Sequence, residues 1–283
     1  MARRRGLRRL VVLLLTLALV AGGIYTAVFF VQRSETLVSE RCTAVVGDRT
    51  AELAPDQAVY ASLITAVAVQ RGLPPRAASI ALATAMQESK LRNIGHGDQA
   101  GPDSRGLFQQ RPSQGWGTEE QVMDPYYAVN AFYDALVEVP GYESLDITDA
   151  AQRVQRSAYP LAYARHEELG RFFASGFSGQ TPEAVHCTLR SSALPGDAGA
   201  VSAELGKAYG PVGTVVDGQT LVVEATGSQA WSIAHWAVAN AKGLEVTRVE
   251  VAGRSWNRSE RNGWQESPAP DGQVRITVAA REA

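Results

Sequence analysis

The chain contains two cysteines, Cys42 and Cys187, and more than half of its 283 residues lie between them. A disulfide joining them would close one long loop and staple the two ends of whatever folds inside it, a constraint that chain-entropy models value at a few kcal/mol. Such a bond needs an oxidising compartment, and an isolated pair in an exported protein reads most simply as one disulfide. The N-terminus points to export. "MARRRGLRR" carries Arg3, Arg4, Arg5, Arg8 and Arg9, and no charge occurs from Leu10 to Val31, a stretch as long as the ~20 residues a bilayer-spanning helix needs. Arginines ahead of a span stay cytoplasmic. The expectation is a single-pass protein of the cell membrane: a basic cytoplasmic tail over 1–9, a transmembrane anchor over 10–31, a juxtamembrane segment over 32–53 and an extracytoplasmic C-terminus. A cleaved signal peptide is the competing reading, but its apolar core is usually shorter.

Charge narrows the partners. The net charge of the chain is −2, and setting aside the five leading arginines leaves about −7 for the remainder. A part that acidic, with no basic stripe, excludes a general nucleic-acid binder. Two cysteines and four scattered histidines have no metal-ligand spacing, so neither a metal nor another cofactor is expected.

The pattern of the chain changes at "RSSALPGDAGA", where small residues with Pro195 and Gly196 mark a linker over 190–198. Before it, "DQAVYASLITAVAVQRG", "RAASIALATAMQES", "PYYAVNAFYDALVEV" and "DAAQRVQRSAYPLAYARHEELGRFFASG" are long and apolar at helical spacing. They predict a mainly α domain over 54–189. After it, "GTVV", "TLVVEA", "VTRVEVAG" and "VRITVAA" surround one helix, "SQAWSIAHWAVANAK", which predicts a small α+β accessory domain over 199–283. Its four tryptophans, Trp231, Trp236, Trp256 and Trp264, read as core before they read as a glycan-binding face.

One carboxylate stands out in the helical half. Ala77, Ile80, Ala81, Thr84, Ala85 and Glu88 recur at intervals of three or four, so Glu88 shares a face with residues that should be buried. Burial and the negative end of the helix dipole both disfavour its charged form and raise its pKa, as a general acid near neutral pH requires. The bland reading is an exposed glutamate closing the helix beside Lys90 or Arg92.

The text around Glu88 adds to this. "MQESKLRN" is followed by the glycine-rich "IGHGDQAGPDSRG", then "GLFQQRPSQGWG", then "MDPYYAVNAFYDAL". This order resembles the lysozyme-like superfamily, and within it the soluble lytic transglycosylase branch as found in actinobacterial cell-wall hydrolases; "AAQRVQRSAYPLAYA" is similar to a later helix of that domain. The resemblance covers roughly residues 54–176. It implies a lysozyme-like fold for the mainly α domain, so that with the segments read above the expected chain is multi-domain: an N-terminal transmembrane helix, a mainly α lysozyme-like domain and a small α+β C-terminal domain. It also implies that Glu88 is the catalytic acid/base for the bond between N-acetylmuramic acid and N-acetylglucosamine in peptidoglycan, and that the product is a 1,6-anhydro sugar. The implied partners are glycan strands and, through the anchor, the cytoplasmic membrane.

The resemblance also assigns neighbours. Gly106, Leu107, Phe108 and Gln109 match the turn that lines the cleft, with Ser104 just before it, although Leu107 and Phe108 suit a core equally. Trp116, flanked by glycines, suits stacking on a sugar face. Tyr127, Asn130 and Tyr133 fall on the helix that resembles the cleft's far wall, and Tyr159 stands where a substrate-contacting tyrosine is expected, with "VQRSAYP" in place of the usual Ala-Tyr-Asn-Ala-Gly. Asp98 and Asp103 offer a second carboxylate for a hydrolysing muramidase, but both sit in turn-like pairs. Two alternatives therefore stand beside the transglycosylase: that muramidase, and a non-catalytic glycan-binding or scaffolding protein of the same fold.

Overall fold

At Gly47 and Asp48 the chain reverses between two short strands, β1 (Arg41–Val46) and β2 (Arg49–Leu53). Gly47 takes φ 64°, the left-handed conformation that a two-residue hairpin turn demands. A third strand, β3 (Val185–Thr188), pairs antiparallel with the other edge of β1 and sets Cys42 directly opposite Cys187. The two are bonded and buried. The computed structural model describes residues 14–26, 38–99, 101–157, 161–192 and 194–280.

Between the bonded strands lies a helical core. Helices α2 (Pro55–Gln70) and α3 (Pro75–Ser89) each begin on a proline, which needs no amide partner at the first helical position. Both are buried along most of their length and are apolar around most of their circumference, as core helices are. Around them pack α5 (Pro125–Val137), α6 (Ile147–Gln155) and α7 (Glu167–Phe177), with the short α4 (Glu119–Met123) against α5. Thr118 caps α4 and Asp124 caps α5, each through its side-chain oxygen.

The crossing of α3 and α7 is unusually close. A Cβ built on Gly170 of α7 would stand 2.6 Å from the Ser79 carbonyl oxygen and 3.3 Å from the Ala83 amide nitrogen. Only a glycine opposite small residues allows backbones to approach this far, and the alanines of α3 supply the other half of the fit.

The C-terminal part contributes α8 (Ala198–Tyr209), α9 (Gly227–Ala239) and strands β4 (Thr214–Asp217), β5 (Thr220–Glu224), β6 (Val246–Val251), β7 (Arg254–Asn257), β8 (Gln265–Glu266) and β9 (Gln273–Val278). The strands form an antiparallel sheet in the order β4-β5-β9-β6-β7-β8. Helix α9 packs against this sheet and also against α2, α7 and β3. Trp256 and Trp264 donate their indole N–H groups to the carbonyls of Cys187 (3.1 Å) and Val185 (2.8 Å), and His235 Nδ1 lies 2.7 Å from the Gly176 carbonyl. The four C-terminal tryptophans are buried, so they serve as core here.

Two expectations are corrected. The fold is α+β with two antiparallel sheets, rather than a membrane helix followed by a mainly α and a small α+β domain: the juxtamembrane stretch holds β1 and β2, and Glu40–Ala283 forms one compact unit. The expected linker is tied down at its end, where Gly196 donates to the Ala279 carbonyl at 2.9 Å and Asp197 caps α8. The expected anchor over 10–31 falls in the other unit, Met1–Ser39. There residues 14–26, in α1, are helical. In it the Thr26 hydroxyl donates to the carbonyls of Gly22 and Gly23. Among the described residues no helix is long and apolar enough to cross a membrane, which removes the basis for the single-pass location; residues 10–13 and 27–31 lie outside the described residues.

The α3–α7 contact is open to a direct check. Gly170→Ala should lower stability by about 1–3 kcal/mol, although glycine to alanine inside a helix ordinarily gains about 1 kcal/mol. Urea unfolding measures it, and a more stable variant would contradict the close approach.

Candidate active site

A cleft of about 590 Å³ opens at the C-terminal end of α3 and has Glu88 in its lining. Burial pushes the Glu88 carboxyl above the ordinary glutamate range; hydrogen bonds from Tyr163 and from the Gln155 amide act the other way, and the nearby Asp98 charge adds to the rise. The Tyr163 hydroxyl donates to Glu88 Oε1 at 2.7 Å. Tyr163 is wholly buried, and burial, with the adjacent Glu88 charge, drives its own pKa far above the ordinary tyrosine value. It therefore stays a proton-bearing donor at any physiological pH. The result is a half-buried carboxyl held at one oxygen, with the cleft before it.

Local chemistry puts Glu88 there. Helix α3 ends where Lys90 and Leu91 both turn left-handed, with φ 56° and 53°, and the Lys90 and Leu91 amides close back on the Met86 and Ala85 carbonyls. The buried Ser89 hydroxyl donates to the Leu107 carbonyl at 2.7 Å and accepts from the Arg92 amide at 3.2 Å. Ser89 thereby ties the helix end to the Gly-Leu-Phe-Gln turn. In that turn Gly106 has φ 77°, its amide reaches the Ile94 carbonyl at 2.8 Å, and a Cβ on it would stand 2.3 Å from the Val122 carbonyl oxygen. No other residue fits.

The structure sorts the expected residues into two groups. Ser104, Gln109 and Trp116 line the cleft with Glu88. Gly106, Leu107 and Phe108 build the turn from behind: Leu107 and Phe108 are fully buried, and Phe108 stacks on Phe132 with ring centroids 4.4 Å apart. Gln109 also bonds its own turn, Nε2 to the Gly106 carbonyl at 3.2 Å. Tyr127 does not line the cleft; its ring fits under Gly117, where a Cβ would stand 2.6 Å from its hydroxyl, and so it supports the Trp116 loop. Asn130 is taken up by Arg71, which donates to its backbone and side-chain oxygens at 3.0 and 3.1 Å, and the buried Tyr133 bonds the Ile64 carbonyl at 2.9 Å. Tyr159 lies outside the described residues.

The two loop aspartates also part company. Asp103 accepts from Arg111 Nε at 2.8 Å and from the Ser113 amide at 3.0 Å. The Ser113 hydrogen bonds, then the Arg111 pairing, hold its carboxyl well below the usual carboxylate range, so it is a fixed structural anion. Asp98 accepts from the Gly101 amide at 2.9 Å within its loop and also lines the cleft.

Sequence reasoning missed Tyr163, Gln155 and Ser89. Tyr163 lies inside the very stretch that resembles the family helix, four residues beyond Tyr159, but nothing in the spacing says which tyrosine turns inward. Gln155 Nε2 donates to the Phe108 carbonyl at 2.8 Å and so joins the end of α6 to the same turn. Among the described residues no group of His, Cys, Asp or Glu comes together to hold a metal ion. No model of a known protein family matches the chain, and no curated protein matches it.

Because the Tyr163 hydrogen bond favours the charged carboxylate, its loss should raise the Glu88 pKa further. Carbon NMR of labelled glutamate side chains should show Glu88 titrating at higher pH in Tyr163→Phe than in wild type. An unchanged or lower midpoint would remove Tyr163 from the site.

Proposed function

We propose that the chain cleaves peptidoglycan glycan strands between N-acetylmuramic acid and N-acetylglucosamine as a lytic transglycosylase, with Glu88 as both acid and base. The observation that carries this reading is the raised, half-buried carboxyl of Glu88, held by Tyr163 in the lining of an open cleft. Raised pKa values at a cleft are where general acids are found. The order of motifs, Glu-Ser on a helix end followed by Gly-Leu-Phe-Gln on the opposing turn, supports the same family of chemistry.

The chemistry closes with one carboxyl. Glu88 gives its proton to the glycosidic oxygen as the bond from that oxygen to the anomeric carbon breaks. The muramic 6-hydroxyl oxygen bonds the same carbon, and its proton returns to Glu88, so the enzyme ends as it began and no water is consumed. A water-using glycosidase ordinarily needs a second carboxylate for base or nucleophile. Asp103 is already committed to Arg111 and Ser113, and Asp98 is the remaining acid in the cleft lining. Ser104, Gln109 and Trp116 are the groups to hold the sugars, by hydrogen bonds and by stacking.

Glu88→Gln keeps the oxygen that accepts from Tyr163 but carries no transferable proton. Release of soluble fragments from purified peptidoglycan should fall about 10²–10⁴-fold, while Asp98→Asn costs far less. The variant should remain folded. Since folding raises the Glu88 pKa, the wild-type carboxyl loses stability as pH rises past its ordinary value of 4.5, and glutamine is free of that cost at neutral pH. Collapse of activity in Asp98→Asn would favour the muramidase. Equal glycan binding by wild type and Glu88→Gln, with cleavage by neither, would leave a non-catalytic glycan-binding protein.

A further inference from the structure

A second hollow of about 760 Å³ continues from the Glu88 cleft, sharing Gln114, Trp116, Gln155 and Arg156 with it. Ala135 of α5, Val139 just after it and Val154 of α6 give it apolar lining, and Trp116 stands where the two spaces join. Arg153 and Arg156 lie in its lining and are exposed. Neither guanidinium has an ion-pair partner among the described residues, whereas Arg111 in the first cleft is matched by Asp103 and Arg105 beside it by Glu119. Glu138 is the one acid among the described residues that line the second hollow.

Two unmatched, forked cations beside apolar walls suit carboxylates carried on a partly apolar chain. An N-acetylmuramic acid residue bears such a chain, its peptide, next to the bond that Glu88 would cut. We propose that the second hollow binds this peptide, with Arg153 and Arg156 receiving its carboxylates and Glu138 an amino group; the proposal rests on the glycan-cleaving reading of the first cleft. The protein then selects peptide-bearing glycan over bare strands, and the selection resides at the C-terminal end of α6, beside Gln155.

The test compares cleavage rates on three substrates: intact wall, wall freed of phosphate-linked polymers but retaining its peptides, and strands stripped of peptide by an amidase. Wild type should cut the phosphate-free, peptide-bearing wall about five- to tenfold faster than the stripped strands, the scale expected of two exposed charge pairs. In the double variant Arg153→Gln, Arg156→Gln that ratio should fall toward one, and in wild type it should shrink as salt is raised. A wild-type ratio near one, or a ratio kept by the variant and insensitive to salt, overturns the proposal. So does a loss of rate on removing the phosphate polymers alone, which would assign the arginines to phosphate. If wild type cuts none of the three, the glycan-cleaving reading has itself failed, and the peptide site falls with it.

Discussion

The contact between Gly170 and the backbone of α3 sets the distance on which the rest of the molecule depends. With the Ser79 carbonyl 2.6 Å from where a side chain would begin, α7 lies against α3 without an intervening layer, and the chain that leads into α7 is carried past the end of α3. Tyr163 lies on that approach, and this is how a residue far along the sequence comes to within 2.7 Å of Glu88. The alanine richness of α3 is therefore a packing requirement before it is anything else: larger side chains would hold α7 away and leave the carboxyl without its tyrosine.

The other side of the cleft depends on a polar knot. Ser89 and Gln155 each donate to a carbonyl of the same turn, Leu107 and Phe108 respectively, so the ends of α3 and α6 and the loop between them are fixed by buried or half-buried hydrogen bonds. Such bonds are expensive to leave unmade and hold one geometry. The cleft is thus bounded by three elements whose relative positions are locked, and under the proposed glycan cleavage that rigidity would fix the orientation in which the carboxyl meets a glycosidic oxygen.

Much of this was legible in the residues. The apolar period through α3 put Glu88 on a partly buried face, and the isolated cysteines paired as expected. What was not legible depended on contacts between distant segments. The cross-strand position of Cys42 and Cys187 implies two strands, but "RCTAVV" and "VHCT" are too short to announce themselves beside so many helices. Tyr127 and Asn130 lie on α5 and meet other partners than the cleft, because helical periodicity fixes a face and not its neighbour. Tyr163 was hidden by its own surroundings: "SAYPLAYA" offers two tyrosines four apart. The uncharged run after Arg9 had the length of a membrane span, but among the described residues no helix is long and apolar enough to cross a membrane.

The account turns on one carboxyl doing the work of two, and the products report on that directly. Digestion of purified peptidoglycan in heavy-oxygen water, followed by mass spectrometry of the released fragments, distinguishes attack by the muramic 6-hydroxyl from attack by solvent. The account predicts 1,6-anhydro ends carrying no heavy oxygen. Reducing ends labelled from the solvent would show that water is the nucleophile and would contradict it.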